Sequence, residues 1–211
     1  MLYVGNDIVD LNEEHGSLKH QDHRFLTRVF TPQEKAFIQN SSRPEISLWM
    51  LWAAKEASFK IVSKLDASTV FAHQLFQVTL TESRNIASVS YKRYRINVSF
   101  IIEKDFIHAV ANWVEKKDSC NHSQLFSSQH YLEKEQLEEK KSESKWVRHY
   151  LKAQLSKSLN INADQIEIRR ESREGKPAPV EVYLNECKRA DVDISLSHHG
   201  SWVAWAYSVK P

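Results

Sequence analysis

The twenty residues 45–64 contain neither glycine nor proline, and this constrains the fold more than any other stretch of the chain. Within it Ile46, Trp49, Leu51, Trp52, Phe59, Ile61 and Val62 supply an apolar surface at helical spacing, which predicts a central helix around which the rest must pack. Just upstream, Thr31-Pro32-Gln33-Glu34 combines a capping residue, proline at the first helical position and Glu three places after the cap. That pattern predicts a second helix running to about Asn40, with 24–30 helical or looped before it.

Strand signals flank the helix. Residues 2–11 are β-branched and apolar around Gly5, Asn6 and Asp7, which predicts a strand interrupted near a functional bend where an acidic side chain emerges. Beyond the helix, the β-branched and aromatic runs 76–80, 86–91, 94–102 and 106–114 predict an antiparallel meander. Residues 116–144 are dominated by Lys, Glu, Gln and Ser and read as a solvated, partly helical connector. A second lobe follows. Trp146, Val147, Tyr150, Leu151, Leu155 and Leu159 form an amphipathic helix ended by Asn160, residues 165–169 begin a strand, and Gly175-Lys176-Pro177 marks a turn. Val192, Ile194 and Leu196 then alternate with Asp193, Ser195 and Ser197. With 202–209 across His198-His199-Gly200 they make a hairpin with a histidine-bearing turn. The expected class is therefore α+β, in two lobes of antiparallel strands each packed with a long helix: 1–115, the connector 116–144, and 145–211.

Composition narrows the function. At 211 residues with 41% hydrophobic content the chain can build a core of its own. With 29 Lys and Arg against 27 Asp and Glu it lacks the basic excess of a general nucleic-acid binder. Cys120 and Cys187 stand in dissimilar surroundings without a CxxC pair, which supports neither a disulfide framework nor a structural zinc site and fits a reducing compartment. No segment approaches the roughly 20 apolar residues a bilayer requires, and the opening residues lack a signal-peptide pattern. The expectation is a soluble cytoplasmic protein.

Three polar constellations remain. In Trp52-Ala53-Ala54-Lys55-Glu56-Ala57-Ser58-Phe59-Lys60 the i,i+4 spacing sets Glu56 and Lys60 on one helical face, while Ala53 and Ala57 leave room for a ligand beside the carboxylate. Taken alone this is an ordinary surface ion pair worth a few tenths of a kcal/mol, and Asp7 alone is an ordinary turn-former. Together Asp7 and Glu56 supply two hard oxygen ligands suited to Mg²⁺, which takes one or two carboxylates and completes its shell with water and substrate phosphates. Ser195-Leu196-Ser197-His198-His199-Gly200 offers hydroxyl, imidazole and backbone N–H donors to phosphate oxygens, or serves simply as a capped hairpin turn. A Ser197–His198 nucleophilic pair is disfavoured because strand neighbours face opposite ways and no G-x-S-x-G elbow is present. His20 and His23 lack a zinc spacing.

Val4-Gly5-Asn6-Asp7-Ile8-Val9, the W-x-x-K-E-A-x-x-K pattern of 52–60 and the S-x-S-H pattern at Ser195 together resemble the phosphopantetheinyl transferase superfamily. The opening, with Arg24-Phe25-Leu26 through Phe30-Thr31-Pro32-Gln33-Glu34, is similar to its short holo-acyl-carrier-protein synthase type. The C-terminal lobe, with a helix around Arg148, Gly175-Lys176-Pro177 and the Ser-His turn, resembles instead the first half of the longer surfactin-synthetase-activating type. The resemblance thus implies a single-chain, monomeric pseudodimer with its halves in permuted order. It implies transfer of 4'-phosphopantetheine from coenzyme A to a serine of an acyl- or peptidyl-carrier protein. Asp7 and Glu56 become Mg²⁺ ligands, Glu56 and Lys60 catalytic residues, Lys55 and Lys60 phosphate-facing. Lys176, Ser197, His198 and Arg148 become coenzyme A contacts. Val9 stands where the longer type often has a second acid, and Arg24, Arg28 and Lys35 offer a local basic surface to an acidic carrier. A coenzyme A-binding module without turnover and a protein-interaction scaffold are the rival readings.

Overall fold

The structure, a computed structural model, describes residues 1–15, 17–81, 85–115, 123–138, 142–173 and 176–210. Its first layer is a five-stranded sheet of β1 (Leu2–Asp10), β2 (Gln77–Leu80), β3 (Ile86–Tyr91), β4 (Tyr94–Ile102) and β5 (Phe106–Val114), in the order β1-β5-β4-β3-β2. Every neighbouring pair is antiparallel. Three short helices, α1 (Leu11–Glu14), α2 (His23–Val29) and α3 (Pro32–Gln39), lead into the 22-residue α4 (Pro44–Leu65), which packs on one face of this sheet. Tyr94, Ile96, Val98 and Phe100 of β4 point into that core while the residues between them face solvent, the half-buried alternation of a one-sided antiparallel sheet.

A capping box starts α3 as its sequence predicts. Thr31 Oγ1 accepts from the Glu34 N–H (3.3 Å), and Glu34 Oε2 accepts from the Thr31 N–H (2.8 Å). The same carboxylate then does more than cap. Lys55 Nζ, fully buried, donates to both Glu34 oxygens at 2.8 Å, to Phe76 O at 2.6 Å and to His73 O at 3.1 Å, and the Val78 N–H donates to Glu34 Oε1. This node pins α3, α4 and the entry to β2 together. Lys55→Met removes the cation and leaves the Glu34 charge in the core, so it should cost about 3 kcal/mol in urea unfolding. Adding Glu34→Gln should recover part of that loss. A single-variant loss below about 1 kcal/mol, the range of an exposed pair, would show that the node is dispensable.

The second layer holds β10 (Val192–His199), β11 (Trp202–Val209) and β6 (Gln124–Tyr131) in the order β10-β11-β6. It is covered by α6 (Ser142–Leu159), whose Val147, Leu151 and Leu155 bury against Ile194, Val203 and Trp205. A single helical turn, α5 (Lys134–Leu137), precedes α6. A separate ribbon of β7 (Ile166–Arg173), β8 (Lys176–Leu184) and β9 (Cys187–Lys188) completes the lobe. Asn160 closes α6 in the left-handed region at φ +53, as its position predicts. Within the described part of 116–144 the expected connector is partly a strand. β6 pairs with the whole of β11, yet its residues are mostly exposed, so neither face imposes the alternation by which a strand is read from sequence. Among the described residues no helix is long and apolar enough to cross a membrane.

β1 is where the layers meet. It is continuous from Leu2 to Asp10 and paired in register with β5 throughout, so the interruption expected near Gly5 is absent. Gly5 serves packing instead: a Cβ there would lie 2.0 Å from the Ala57 carbonyl oxygen, so α4 crosses β1 at main-chain contact. The other face of β1 meets β11 through small clusters, Leu2, Val4, Val110 and Ala206 at one end and Ile8, Phe106 and Ala204 at the other.

Candidate active site

Strand alternation sends Asp7 toward α4, on the same face as Gly5. The close Gly5–Ala57 crossing brings the next turns of α4 beside it. Lys60 Nζ bonds Asp7 Oδ1 at 3.0 Å and Asn6 O at 2.7 Å, and the Glu56 charge is near enough to act on Asp7. Burial raises the Asp7 carboxyl from 3.8 to about 6, with Lys60 pulling it down and Glu56 pushing it further up. Glu56 Oε1 lies 3.7 Å from His73 Nε2, and the His73 ring is held between Trp52 (4.5 Å) and Phe71 (4.1 Å). An aromatic bracket thus fixes the imidazole that faces Glu56.

Glu56 and Lys60 open onto a cavity of about 980 Å³ between the lobes, large enough for a nucleotide-sized ligand. α4 contributes Phe59, Ser63 and Lys64 to its wall. The second lobe contributes Arg170, Ala178, Pro179, Val180, Ile194 and Leu196. Ala67, Ser68 and Thr69, just beyond α4, form part of the rim. One wall is thus carboxylate and ammonium, and the opposite wall largely apolar.

The remaining residues singled out by sequence divide. Lys55 does not face the cavity; it is consumed by Glu34 on the buried side of α4. Ser197 is buried in the seam, where its Oγ accepts from Asn6 Nδ2 at 2.8 Å, so its hydroxyl points at β1. His198, one residue on, is exposed on the opposite face. Partial desolvation, aided by Lys60, His199 and Arg148 and opposed by Glu143, holds its imidazole below the usual value. Arg148 is half-buried. Its pKa is lowered by desolvation and then by the like charge of Arg170, so Arg148 and Arg170 lie near enough to act on each other, and Arg148 also acts on the depressed imidazole of His198. The Lys176 side chain and Gly175 lie outside the described residues. Val9 packs in the first core at 3% exposure. Asp10 turns to the far face, where Oδ1 accepts from the Asn12 N–H and Oδ2 from the Ser201 N–H. No cluster of three or more His, Cys, Asp or Glu able to hold a metal occurs among the described residues, which leaves Asp7 and Glu56 as the acidic pair.

Three features escaped the sequence reading. Arg170 lies at a register shift in the β7–β8 ribbon, which no pattern announces. Lys64 and Asp193 pair at 2.8 Å beside the cavity. Asn6 and His108 form a buried polar centre, with Asn6 Nδ2 3.2 Å from His108 Nε2. Burial pushes the His108 imidazole down from 6.5 to about 4, against a bond to Gln129 and with help from Lys60.

Asp7 and His108 impose opposite pH dependences. A carboxyl raised from 3.8 to about 6 binds a proton in the folded state that the unfolded state has released, so Asp7 lowers stability as pH rises across that window. An imidazole depressed from 6.5 to about 4 lowers stability as pH falls across its window. Each amounts to about 3 kcal/mol at full extent, so between pH 4 and 6 they nearly cancel. Asp7→Asn removes one. Its stability advantage over wild type, from urea unfolding at pH 4, 5, 6 and 7, should grow by about 2 kcal/mol between pH 4 and 6. An advantage constant with pH would contradict the assignment.

The sequence pattern of the 4'-phosphopantetheinyl transferase superfamily matches residues 3–111. Over 59 residues, 28% of this chain and 48% of the relative, the sequence is 39% identical to a holo-[acyl-carrier-protein] synthase of Protochlamydia amoebophila. Over 57 residues, 27% of this chain and 3% of the relative, it is 44% identical to the fatty acid synthase subunit alpha of Candida parapsilosis. The chain therefore spans about half the length of the first and a small part of the second. Among solved structures it is similar to a holo-[acyl-carrier-protein] synthase of Neisseria meningitidis. That likeness has a TM-score of 0.45 and 22% identity, covering 55% of this chain and 100% of the other.

Proposed function

The chain belongs to the 4'-phosphopantetheinyl transferase superfamily, and on that premise we propose that it transfers 4'-phosphopantetheine from coenzyme A to a serine of an apo acyl- or peptidyl-carrier protein. The observation that carries this reading is the convergence of Glu56 and Lys60 at one wall of an inter-lobe cavity, with Asp7 bonded to Lys60 behind them. The serine oxygen forms a bond to the β-phosphorus of coenzyme A, and the bond from that phosphorus to the bridging oxygen breaks. 3',5'-adenosine bisphosphate leaves, and the serine proton passes to Glu56 directly or through a water. Such a reaction asks the protein mainly to align groups and offset phosphate charge. Lys60 offsets charge at the reacting end, while His198, Arg148 and Lys176 take the nucleotide's phosphates.

Asp7 and Glu56 fit a Mg²⁺ ion. Two nearby carboxylates, one driven toward its neutral form by burial and by the charge of the other, are the donor set of a hard divalent cation. When bound, the ion supplies charge neutralisation on the diphosphate.

The lobes are proposed as permuted halves of one pseudodimer acting as a monomer. What supports the pseudodimer is that β1-β5-β4 and β6-β11-β10 repeat one strand order, with a long helix following the first strand in each. For the carrier, exposed Arg24 and Arg28 on α2 and half-buried Lys35 on α3 offer a basic face to an acidic partner, so carrier binding should weaken with salt. The deciding experiment is incubation with coenzyme A, Mg²⁺ and several apo carrier proteins, read by intact mass. A gain of one phosphopantetheine supports transfer; coenzyme A binding without any gain on any carrier would leave a binding module.

A further inference from the structure

β1 and β10 are the facing edges of two different sheets, and they run parallel without sharing main-chain hydrogen bonds. The N–H groups of Val4, Asn6 and Asp10 donate instead to Asp193 Oδ2 (2.7 Å), Ser195 Oγ (2.9 Å) and His199 Nδ1 (2.9 Å), each pair separated by 189 residues. The carbonyls are bridged from α4. Lys64 Nζ takes Val4 O at 2.6 Å and Ile194 O at 2.7 Å; Lys60 Nζ takes Asn6 O at 2.7 Å and Leu196 O at 3.5 Å. Four residues of helix rise about 6 Å and two residues of strand about 6.7 Å, so lysines one turn apart meet carbonyls two residues apart on both strands.

The two rungs are not equal. Lys64 has short bonds to both strands and a 2.8 Å bond to Asp193 Oδ2, the same oxygen that accepts from Val4. It is nearly buried, at 9% exposure. Lys60 is more exposed, at 29%, and its bond to the second lobe is the long one.

We propose that the Lys64–Asp193 pair is a positioning device that fixes the register of the two lobes, so that Lys60 and Asp7 on one lobe stay aligned with Arg148 and Arg170 on the other. The inference rests on the transfer reading above. If His198 and Arg148 grip the nucleotide within the second lobe, loosening the register leaves that grip in place. What it removes is the alignment with Asp7, Glu56 and Lys60. The signature is a fall in kcat with little change in KM.

The test uses Lys64→Met, with Asp193→Asn as the milder variant should the first not fold; Asn keeps an oxygen for the Val4 N–H while removing the charge. With coenzyme A and a purified apo acyl carrier protein, kcat should fall about tenfold or more with KM for coenzyme A within about threefold of wild type. Amide exchange at Val4 and Asn6 should accelerate about tenfold. A raised KM with unchanged kcat would overturn the proposal, since Lys64 would then be a ligand contact of the cavity wall. So would a lowered Tm with both constants unchanged, which describes a purely structural pair. If the wild-type protein transfers nothing to any carrier, the functional reading fails and exchange alone decides the lock. Faster exchange at Val4 and Asn6 then supports it, and unchanged exchange refutes it.

Discussion

Glu56→Gln is expected to lower phosphopantetheine transfer by about 10²–10³-fold without weakening the fold. The exchange is isosteric, so Trp52 and Phe71 still bracket His73 and α4 keeps its packing. What disappears is a charge. Glu56 is half-buried, beside a carboxyl that its own charge pushes upward, so the ionised residue opposes Asp7 in the folded protein. Neutralising it removes that repulsion. The variant should therefore unfold at the same or a higher urea concentration than wild type at pH 7, while losing the proton acceptor and half of the proposed Mg²⁺ donor set.

A structural residue shows the reverse, with activity falling only as stability falls. Measuring transfer by intact mass and stability by urea on the same preparation separates the two cases. Near-normal transfer by Glu56→Gln would remove Glu56 from the chemistry, and loss of both together would make it a fold residue.

How far this site was legible in the sequence follows from which contacts are local. The i,i+4 relation of Glu56 and Lys60 is a property of any helix, and the glycine-free run that predicts the helix also predicts their shared face. The capping box at Thr31 was likewise readable, because both partners lie within four residues. The second use of Glu34, as counter-ion to Lys55, was not: it links positions 21 apart across α3 and α4. Lys55 therefore read as phosphate-facing, although on the helix it points away from Glu56's side into the core. Ser197 is hidden from the sequence for a related reason. Its neighbourhood looked like a phosphate turn, but which alternate face of β10 meets β1 depends on lobe packing, and that packing turns Ser197 toward Asn6 and leaves His198 outward. The register ladder joins residues about 190 apart, so nothing in either strand reveals it.

Gly5→Ala is expected to cost about 4 kcal/mol or more, beyond the usual range for an added methyl. The new Cβ would stand 2.0 Å from Ala57 O, 3.0 Å from Ala57 C and 3.1 Å from Ile61 Cγ1. Two of these three atoms are main chain, so no side-chain rotation relieves them and α4 must move off β1. That motion pulls directly on Lys60–Asn6 O at 2.7 Å and Lys64–Val4 O at 2.6 Å, and thus on the lobe seam as well as the sheet. Trimming the facing residue gives a sharper test. Ala57→Gly removes a methyl but not the colliding carbonyl, so the double variant should remain as unstable as Gly5→Ala or become more so, given the helix penalty of glycine, about 1 kcal/mol. The measurements are soluble yield and urea unfolding of the two single variants and the double. Rescue by Ala57→Gly, or a Gly5→Ala loss under about 1 kcal/mol, would mean that α4 and β1 are not held at main-chain contact. The placement of Asp7 beside Lys60 would then need another cause.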